Sequence, residues 1–155
     1  MTKAGILQQI QDAKTAHMRW VKRADHLVSG LPVDKEFIPL ESTDCAFGEW
    51  FYNHGVKLKL IPSIGNLVNR IEHHHNDLHD AYTDIYKIFF VMPTKRSLLQ
   101  KIFSFNSKDP TPEEKEQAKA HFKYLKRSSE ELLAVLYILE ERVKALTYEE
   151  LEDIQ

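Results

Sequence analysis

Two histidines stand four residues apart, at His75 and His79, in a segment whose spacing predicts a helix. Residues four apart on a helix are neighbours on one face, so both imidazoles can approach a single metal ion. Two nitrogen ligands on one rigid helix supply half of a tetrahedral zinc site. His75 fills a gap in the apolar stripe of this helix, which otherwise consists of Ile64, Leu67, Ile71, Leu78, Tyr82, Ile85 and Phe89. We therefore expect the pair on the buried side, where a histidine needs a polar partner.

Two further residues could complete such a site. His17 occupies a core position of a predicted first helix, and Cys45 lies in the first turn of a predicted second helix. A helix N-terminus favours a thiolate, so we expect the pKa of Cys45 to be lowered. One cysteine and three histidines match the donors that zinc prefers. Each alone would be an ordinary core residue, but together they favour a shared metal ion. Four protein ligands leave no position for water, so we predict that the protein is not an enzyme.

The elements that would position these residues are all helices. The spacing of apolar residues and the capping signals predict helices over Ala4–Val28, Asp44–His54, Pro62–Met92, Ser97–Phe105 and a long segment that begins at Pro112. Thr43 or Asp44 is the expected N-cap of the second helix, and Lys57–Ile61 is expected to be a connection. Thr147 and Glu150 resemble a capping box for a final turn. The predicted fold is all-α, an antiparallel four-helix-type bundle with additional short helices, in one domain over residues 1–155.

The composition restricts the partners and the compartment. The chain is 43% hydrophobic and 28% charged, with a formal net charge of -2, which argues against nucleic acid or an anionic membrane as a partner. No apolar run is long enough to span a bilayer. The N-terminus lacks a secretory signal and Cys45 is the only cysteine, so we expect a cytoplasmic protein without an internal disulfide. The sustained three-and-four spacing also predicts helix pairing between chains, and hence a homodimer.

Three short motifs carry a resemblance to a known family. They are His17-Met18-Arg19-Trp20, Cys45-Ala46-Phe47-Gly48-Glu49-Trp50 and His75-Asn76-Asp77-Leu78-His79. In this order and at these separations the chain resembles the chemoreceptor zinc-binding domain of bacterial chemoreceptors and diguanylate cyclases. Lys126–Arg142 is similar to the last helix of that family. The resemblance implies a helical bundle that forms a symmetric dimer, with His17, Cys45, His75 and His79 as ligands of Zn²⁺.

The same resemblance implies a regulatory function. In such a sensor, zinc occupancy or oxidation of the cysteine controls bacterial signalling, such as chemotaxis or cyclic-di-GMP synthesis. This chain departs from the pattern because no signalling or catalytic domain is attached, so we expect a stand-alone domain with a chemoreceptor or diguanylate cyclase as its partner. Residues 92–112 also form a longer connection than the pattern needs.

Two other functions fit part of the sequence. A structural adaptor would use zinc only to hold the bundle together. A sensor would differ from it by releasing zinc when a chelator or a mild oxidant is added. A di-iron bundle protein would use Glu-x-x-His pairs, but the chain has one such pair, Glu72 with His75, where two are required. His73 and His74 are expected to face solvent or the rim rather than to bind the metal.

Overall fold

The computed structural model describes residues 2–95 and 109–152, and helices account for most of both ranges. Helix α1 spans Lys3–Val28, α2 spans Ala46–Asn53, α3 spans Gly65–Tyr86, α4 spans Pro112–Ala145 and α5 spans Tyr148–Glu152. Short 3₁₀ helices lie at Lys35–Phe37 and Gly55–Leu60. No strand occurs within these two ranges, so the predicted all-α helical bundle is confirmed. The predicted helix over Ser97–Phe105 lies outside the described residues.

Helix α1 follows its predicted bounds closely because its apolar residues recur at helical spacing. One face is buried along the whole length and includes Ile6, Ile10, Ala13, His17, Trp20, Ala24 and Leu27. The hydroxyl of Thr2 caps the helix by accepting a hydrogen bond from the amide of Gly5 at 3.1 Å. Gly30 ends the helix with a φ of 83°, a left-handed conformation that favours glycine. Helix α1 therefore holds His17 on its buried face.

Helix α3 corrects the predicted helix Pro62–Met92 at both ends. It begins at Gly65, and after Tyr86 the chain continues through a π-helical turn, Lys87–Val91, into helical residues 92–95. Pro93 therefore lies inside the helical segment instead of ending it. The amide of Met92 donates to the carbonyl of Lys87, five residues earlier. Since proline has no amide hydrogen and its ring clashes with the preceding turn, the widened turn accommodates it.

Helix α4 is the long helix against which α1 and α3 both pack. The predicted capping box is present, since Thr111 and Glu114 each bond the backbone of the other. Thr147 and Glu150 cap α5 in the same way. Lys14 of α1 reaches Glu140 of α4, and Lys3 reaches the carbonyl of Lys144 at 3.0 Å, so α1 and α4 run antiparallel.

The pairing of α3 with α4 is also antiparallel. His74 lies 3.3 Å from Glu131, and Asp84, further along α3, lies 3.8 Å from His121, earlier on α4. The predicted four-helix arrangement stays a prediction, because the described residues hold three long helices and the short α2. The predicted connection Lys57–Ile61 falls mostly within the 3₁₀ helix Gly55–Leu60, which packs against α3.

Buried apolar side chains form two clusters. The first includes Cys45 and Phe47 with the N-terminal half of α1, and the second includes Trp20 and Leu78 with its C-terminal half. His75 packs against Phe47 of the first cluster, with ring centroids 4.6 Å apart, and His79 packs against Trp20 of the second at 4.9 Å. The polar site therefore lies where the two apolar clusters meet. No helix of the described ranges combines the length and the apolar character needed to cross a membrane.

Candidate metal centre

Cys45 caps helix α2 directly, which corrects the predicted start of that helix. The expected helix began at Asp44 with Thr43 or Asp44 as its cap, whereas the observed helix begins at Ala46 and its N-cap is Cys45. The Sγ atom accepts a hydrogen bond from the amide of Gly48 at 3.2 Å. The sulfur itself therefore satisfies one of the free amides at the helix start, so no hydroxyl or carboxylate cap is needed.

Three of the four predicted ligands lie together. The candidate ligand atoms of Cys45, His75 and His79 all lie within 4.8 Å of one another. Sγ of Cys45 and Nε2 of His75 are 3.2 Å apart. These residues are only 7%, 1% and 4% exposed, respectively. A thiol and two imidazoles are thus gathered in the interior from the start of α2 and from one face of α3.

The ring of His79 is held by the backbone of the loop before α2. Its Nδ1 atom lies 2.8 Å from the carbonyl oxygen of Leu40. A carbonyl only accepts hydrogen bonds, so Nδ1 carries the proton and donates it. The lone pair of the neutral ring is therefore on Nε2, and this is how metal-binding histidines are commonly oriented.

His75 is buried with one of its ring nitrogens unsatisfied. Among the described residues, Nδ1 of His75 has no hydrogen-bond partner. The ring is enclosed by Phe47 on one side and by His79 at a centroid separation of 4.8 Å on the other. A buried polar atom without a partner is costly, so the ring of His75 is poorly suited to a purely apolar core.

His17, the fourth predicted ligand, borders the same cavity but is not in the three-residue group. The cavity has a volume of about 350 Å³ and is lined by His17 together with Cys45, His75 and His79. Nε2 of His17 instead lies 2.8 Å from the hydroxyl of Ser129 on α4. Sequence reasoning assigned no function to Ser129. The sequence feature that could have pointed to Ser129 is its hydroxyl within the otherwise apolar stripe of the last long helix.

Burial keeps the histidines neutral. Burial, together with a smaller effect of the neighbouring histidines, lowers the pKa of His17 to about 4 and that of His75 to about 3. The pKa of His79 is also lowered by burial, against the opposing effect of its hydrogen bond to Leu40. Neutral imidazoles have the free lone pair that a metal ion requires.

The thiol of Cys45 behaves differently from the sequence expectation. Burial raises its pKa, and the hydrogen bond from Gly48 opposes this effect without overcoming it. The expected lowering by the helix N-terminus is therefore wrong for the metal-free protein, because loss of water around the sulfur outweighs the helix dipole. Binding of a metal ion to this sulfur must displace its proton.

The other candidate residues of α3 have partners elsewhere. The side chain of His73 is 70% exposed and lies 3.5 Å from Asp77, and His74 lies against Glu131 of α4. Neither is in the three-residue group. Glu72, the carboxylate that a di-iron site would need, pairs with Lys59 at 2.6 Å.

The three gathered residues fit a zinc ion. Tetrahedral zinc holds sulfur and nitrogen ligands about 3.5 Å apart, which is close to the 3.2 Å between Cys45 and His75. The ligand types, borderline-soft nitrogen and sulfur, are those that zinc prefers over calcium or magnesium. The oriented ring of His79 supports the same conclusion.

Comparison with known proteins agrees with this chemistry. No curated protein and no solved structure is significantly similar to the chain. Residues 17–86, which run from His17 through the end of α3, match the family model described as the chemoreceptor zinc-binding domain. That region includes all four predicted ligands and the cap of α2. Residues 17–86 are therefore similar to the chemoreceptor zinc-binding domain, a zinc-binding domain of signalling proteins.

Proposed function

We propose that His17, Cys45, His75 and His79 bind one zinc ion, and that its occupancy or the oxidation of Cys45 regulates a bacterial signalling partner. The observation that carries the proposal is the buried group of one thiol and two neutral imidazoles within 4.8 Å. When bound, zinc would hold the start of α2 to α3 and would keep the sulfur as a thiolate. The ligands come from separate elements, so metal binding and helix packing are coupled.

The state of the sulfur provides the signal in this proposal. A peroxide can transfer one oxygen atom to the thiolate of Cys45, which gives a sulfenic acid after protonation and releases water. The oxidised sulfur no longer supplies a thiolate to the metal. Because Cys45 is also the cap of α2, its oxidation weakens the start of that helix at the same time. A change at one atom would thus alter the packing of α2 on α1.

The proposal extends to the context of the domain. Residues 1–155 would act as one non-catalytic domain that forms a homodimer in the cytoplasm, where a buried free thiol stays reduced. Its output would pass to a chemoreceptor or a diguanylate cyclase. The near-neutral charge of the chain supports a protein partner rather than nucleic acid.

The first test is the metal content of the protein purified without added metal. We expect about one zinc per chain in the parent and a clear loss in Cys45→Ala and in His79→Ala. His73→Ala is the matched control, because His73 lies on the same helix but is exposed. A folded parent without zinc, or full zinc content in both ligand variants, would refute the assignment.

A second test separates a sensor from a structural zinc site. A sensor should release zinc when a chelator or dilute peroxide is added, while its circular dichroism spectrum remains that of a helical protein. A purely structural site should retain zinc until the helices unfold. Release that coincides with unfolding would favour the adaptor over the sensor.

A further inference from the structure

The hydrogen bond between His17 and Ser129 joins two helices at the edge of the metal centre. Nε2 of His17 on α1 and Oγ of Ser129 on α4 are 2.8 Å apart. The two residues are 4% and 5% exposed, so water does not compete for either group. In contrast, the three gathered ligand residues belong to α2, through its cap, and to α3. His17 is thus the one predicted ligand that is bonded to α4.

We infer that Ser129 is a positioning residue that competes with the metal ion for His17, so that filling the site breaks a hydrogen bond between α1 and α4. This inference rests on the proposed function, since it takes His17 as the fourth ligand. His17 is outside the group whose ligand atoms lie within 4.8 Å of one another. In this inference Nε2 is the nitrogen that binds the metal, so it must leave the hydroxyl of Ser129 to reach the shared point.

The exchange costs little on the side of Ser129. A serine within a helix can bond the carbonyl oxygen four residues earlier, here that of Leu125, so its hydroxyl need not stay unsatisfied. His17 also borders the cavity that Cys45, His75 and His79 line, so the metal site is the other polar environment open to its ring. The ring thus has two polar partners, the hydroxyl and the metal, and each excludes the other. Such a pair of alternatives is the simplest two-state element that binding can bias.

The consequence is a route from the site to the last long helix. Without metal, His17 supports the contact between α1 and α4, and with metal it joins α1 to α2 and α3. The packing of α4 would therefore report zinc occupancy although α4 supplies no ligand. This gives the proposed sensor a mechanical output that a closed structural site would lack.

Zinc affinity tests the inference directly, measured by competition with a chromogenic chelator. Ser129→Ala removes the competing group, so we expect zinc to bind about five- to tenfold more tightly, which is the effect of one neutral hydrogen bond. Ser128→Ala is the matched control, since Ser128 is equally buried on the same turn. In the His17→Ala background, Ser129→Ala should have no effect on the dissociation constant.

The opposite results would overturn the inference. Weaker binding by Ser129→Ala would mean that His17 binds through Nδ1 while Ser129 supports Nε2. An unchanged dissociation constant would mean that Ser129 does not compete with zinc for His17. Both results leave the proposed zinc site intact, provided that Cys45→Ala and His79→Ala still lose zinc. Retention of zinc by those two variants would instead refute the site itself, and the inference with it.

A measurement on the unmodified protein guards against misfolded variants. The ring nitrogens of His17 can be followed by nitrogen-15 NMR during titration with zinc. We expect the nitrogen-15 chemical shift of one ring nitrogen of His17 to move to that of a metal-bound nitrogen. The hydrogen bond to Ser129 should be lost at the same time. Ring resonances of His17 that stay unchanged at full zinc occupancy would overturn the inference.

Discussion

A Cβ atom on Gly48 would lie 1.7 Å from the carbonyl oxygen of Ser42. The contact is with backbone, which cannot rotate away as a flexible side chain can. Gly48 also donates its amide hydrogen to Sγ of Cys45. The close approach of the loop before α2 to the first turn of that helix therefore sets the position of the Cys45 sulfur.

Gly48→Ala should consequently damage both the fold and the site. We expect the variant to lose about 3 kcal/mol or more of unfolding free energy, typical of a severe steric conflict in a buried position. Zinc affinity should fall as well, because the loop that leads to Cys45 must move away from the first turn of α2. Urea unfolding and metal content measure the two effects.

Gly5→Ala provides the control for this substitution. Its Cβ would meet only the hydroxyl of Thr2, at 3.1 Å, and Gly5 lies within α1, where alanine is the better helix former. Stability equal to or above that of the parent is expected. Equal stability of Gly48→Ala and the parent would contradict the described packing.

The raised pKa of the Cys45 thiol predicts slow alkylation of the metal-free protein. At pH 7 a buried thiol with a raised pKa is mostly protonated, and only the thiolate reacts. We expect iodoacetamide to modify folded, metal-free Cys45 at least about tenfold more slowly than the urea-unfolded chain, measured by mass spectrometry. Faster reaction in the folded state would instead indicate that Cys45 is a thiolate, as its position at a helix N-terminus alone had predicted.

The lowered pKa values of the buried histidines predict loss of stability in acid. An unfolded histidine titrates near 6.5, whereas His17 and His75 stay neutral in the folded protein down to about 4 and about 3. Between these values the unfolded chain binds more protons, so the free energy of unfolding falls as pH falls. The loss approaches about 1.4 kcal/mol per pH unit for each histidine.

Urea unfolding of the metal-free protein at pH 7, 6 and 5 measures this slope. His17→Gln should reduce it, because one buried titrating group is removed. His73→Gln should leave it unchanged, since His73 is exposed. A free energy of unfolding that stays constant as the pH is lowered from 6.5 would contradict the burial of neutral imidazole rings.

The helices were predictable because their signals are local. The stripe of α1 and the capping box formed by Thr111 and Glu114 depend on residues within four positions of one another. The same holds for His75 and His79, whose spacing along α3 places them on one face. In these cases the periodicity and the type of residue predict the local structure, and the tertiary contacts of the helix need not be known.

The remaining features depend on contacts that sequence spacing does not contain. The pKa of Cys45 is set by burial between helices, and the hydrogen bond of His17 to Ser129 joins residues 112 positions apart. The passage of α3 through Pro93 needed a π-helical turn, an exception that the general effect of proline does not predict. Tertiary packing decides each of these three.

The buried ion pair of Lys14 with Glu140 predicts a stability effect outside the metal centre. Their charged atoms are 2.5 Å apart, and Lys14 is only 3% exposed. The hydrogen bond from Lys14 is the largest cause that lowers the pKa of Glu140 to about 2. Glu140→Gln would leave the ammonium of Lys14 buried without a counter-charge, which costs about 3 kcal/mol in similar pairs.

Glu141→Gln is the matched control for this change. Glu141 pairs with Lys144 at 2.8 Å, but its side chain is 73% exposed, so water and salt replace the partner and stability should be nearly unchanged. Urea unfolding at pH 7 compares the two variants with the parent. Zinc affinity should stay at the parental value in both, because Lys14 and Glu140 lie outside the metal centre. Equal stability of the two variants would show that the pair of Lys14 and Glu140 is solvated rather than buried.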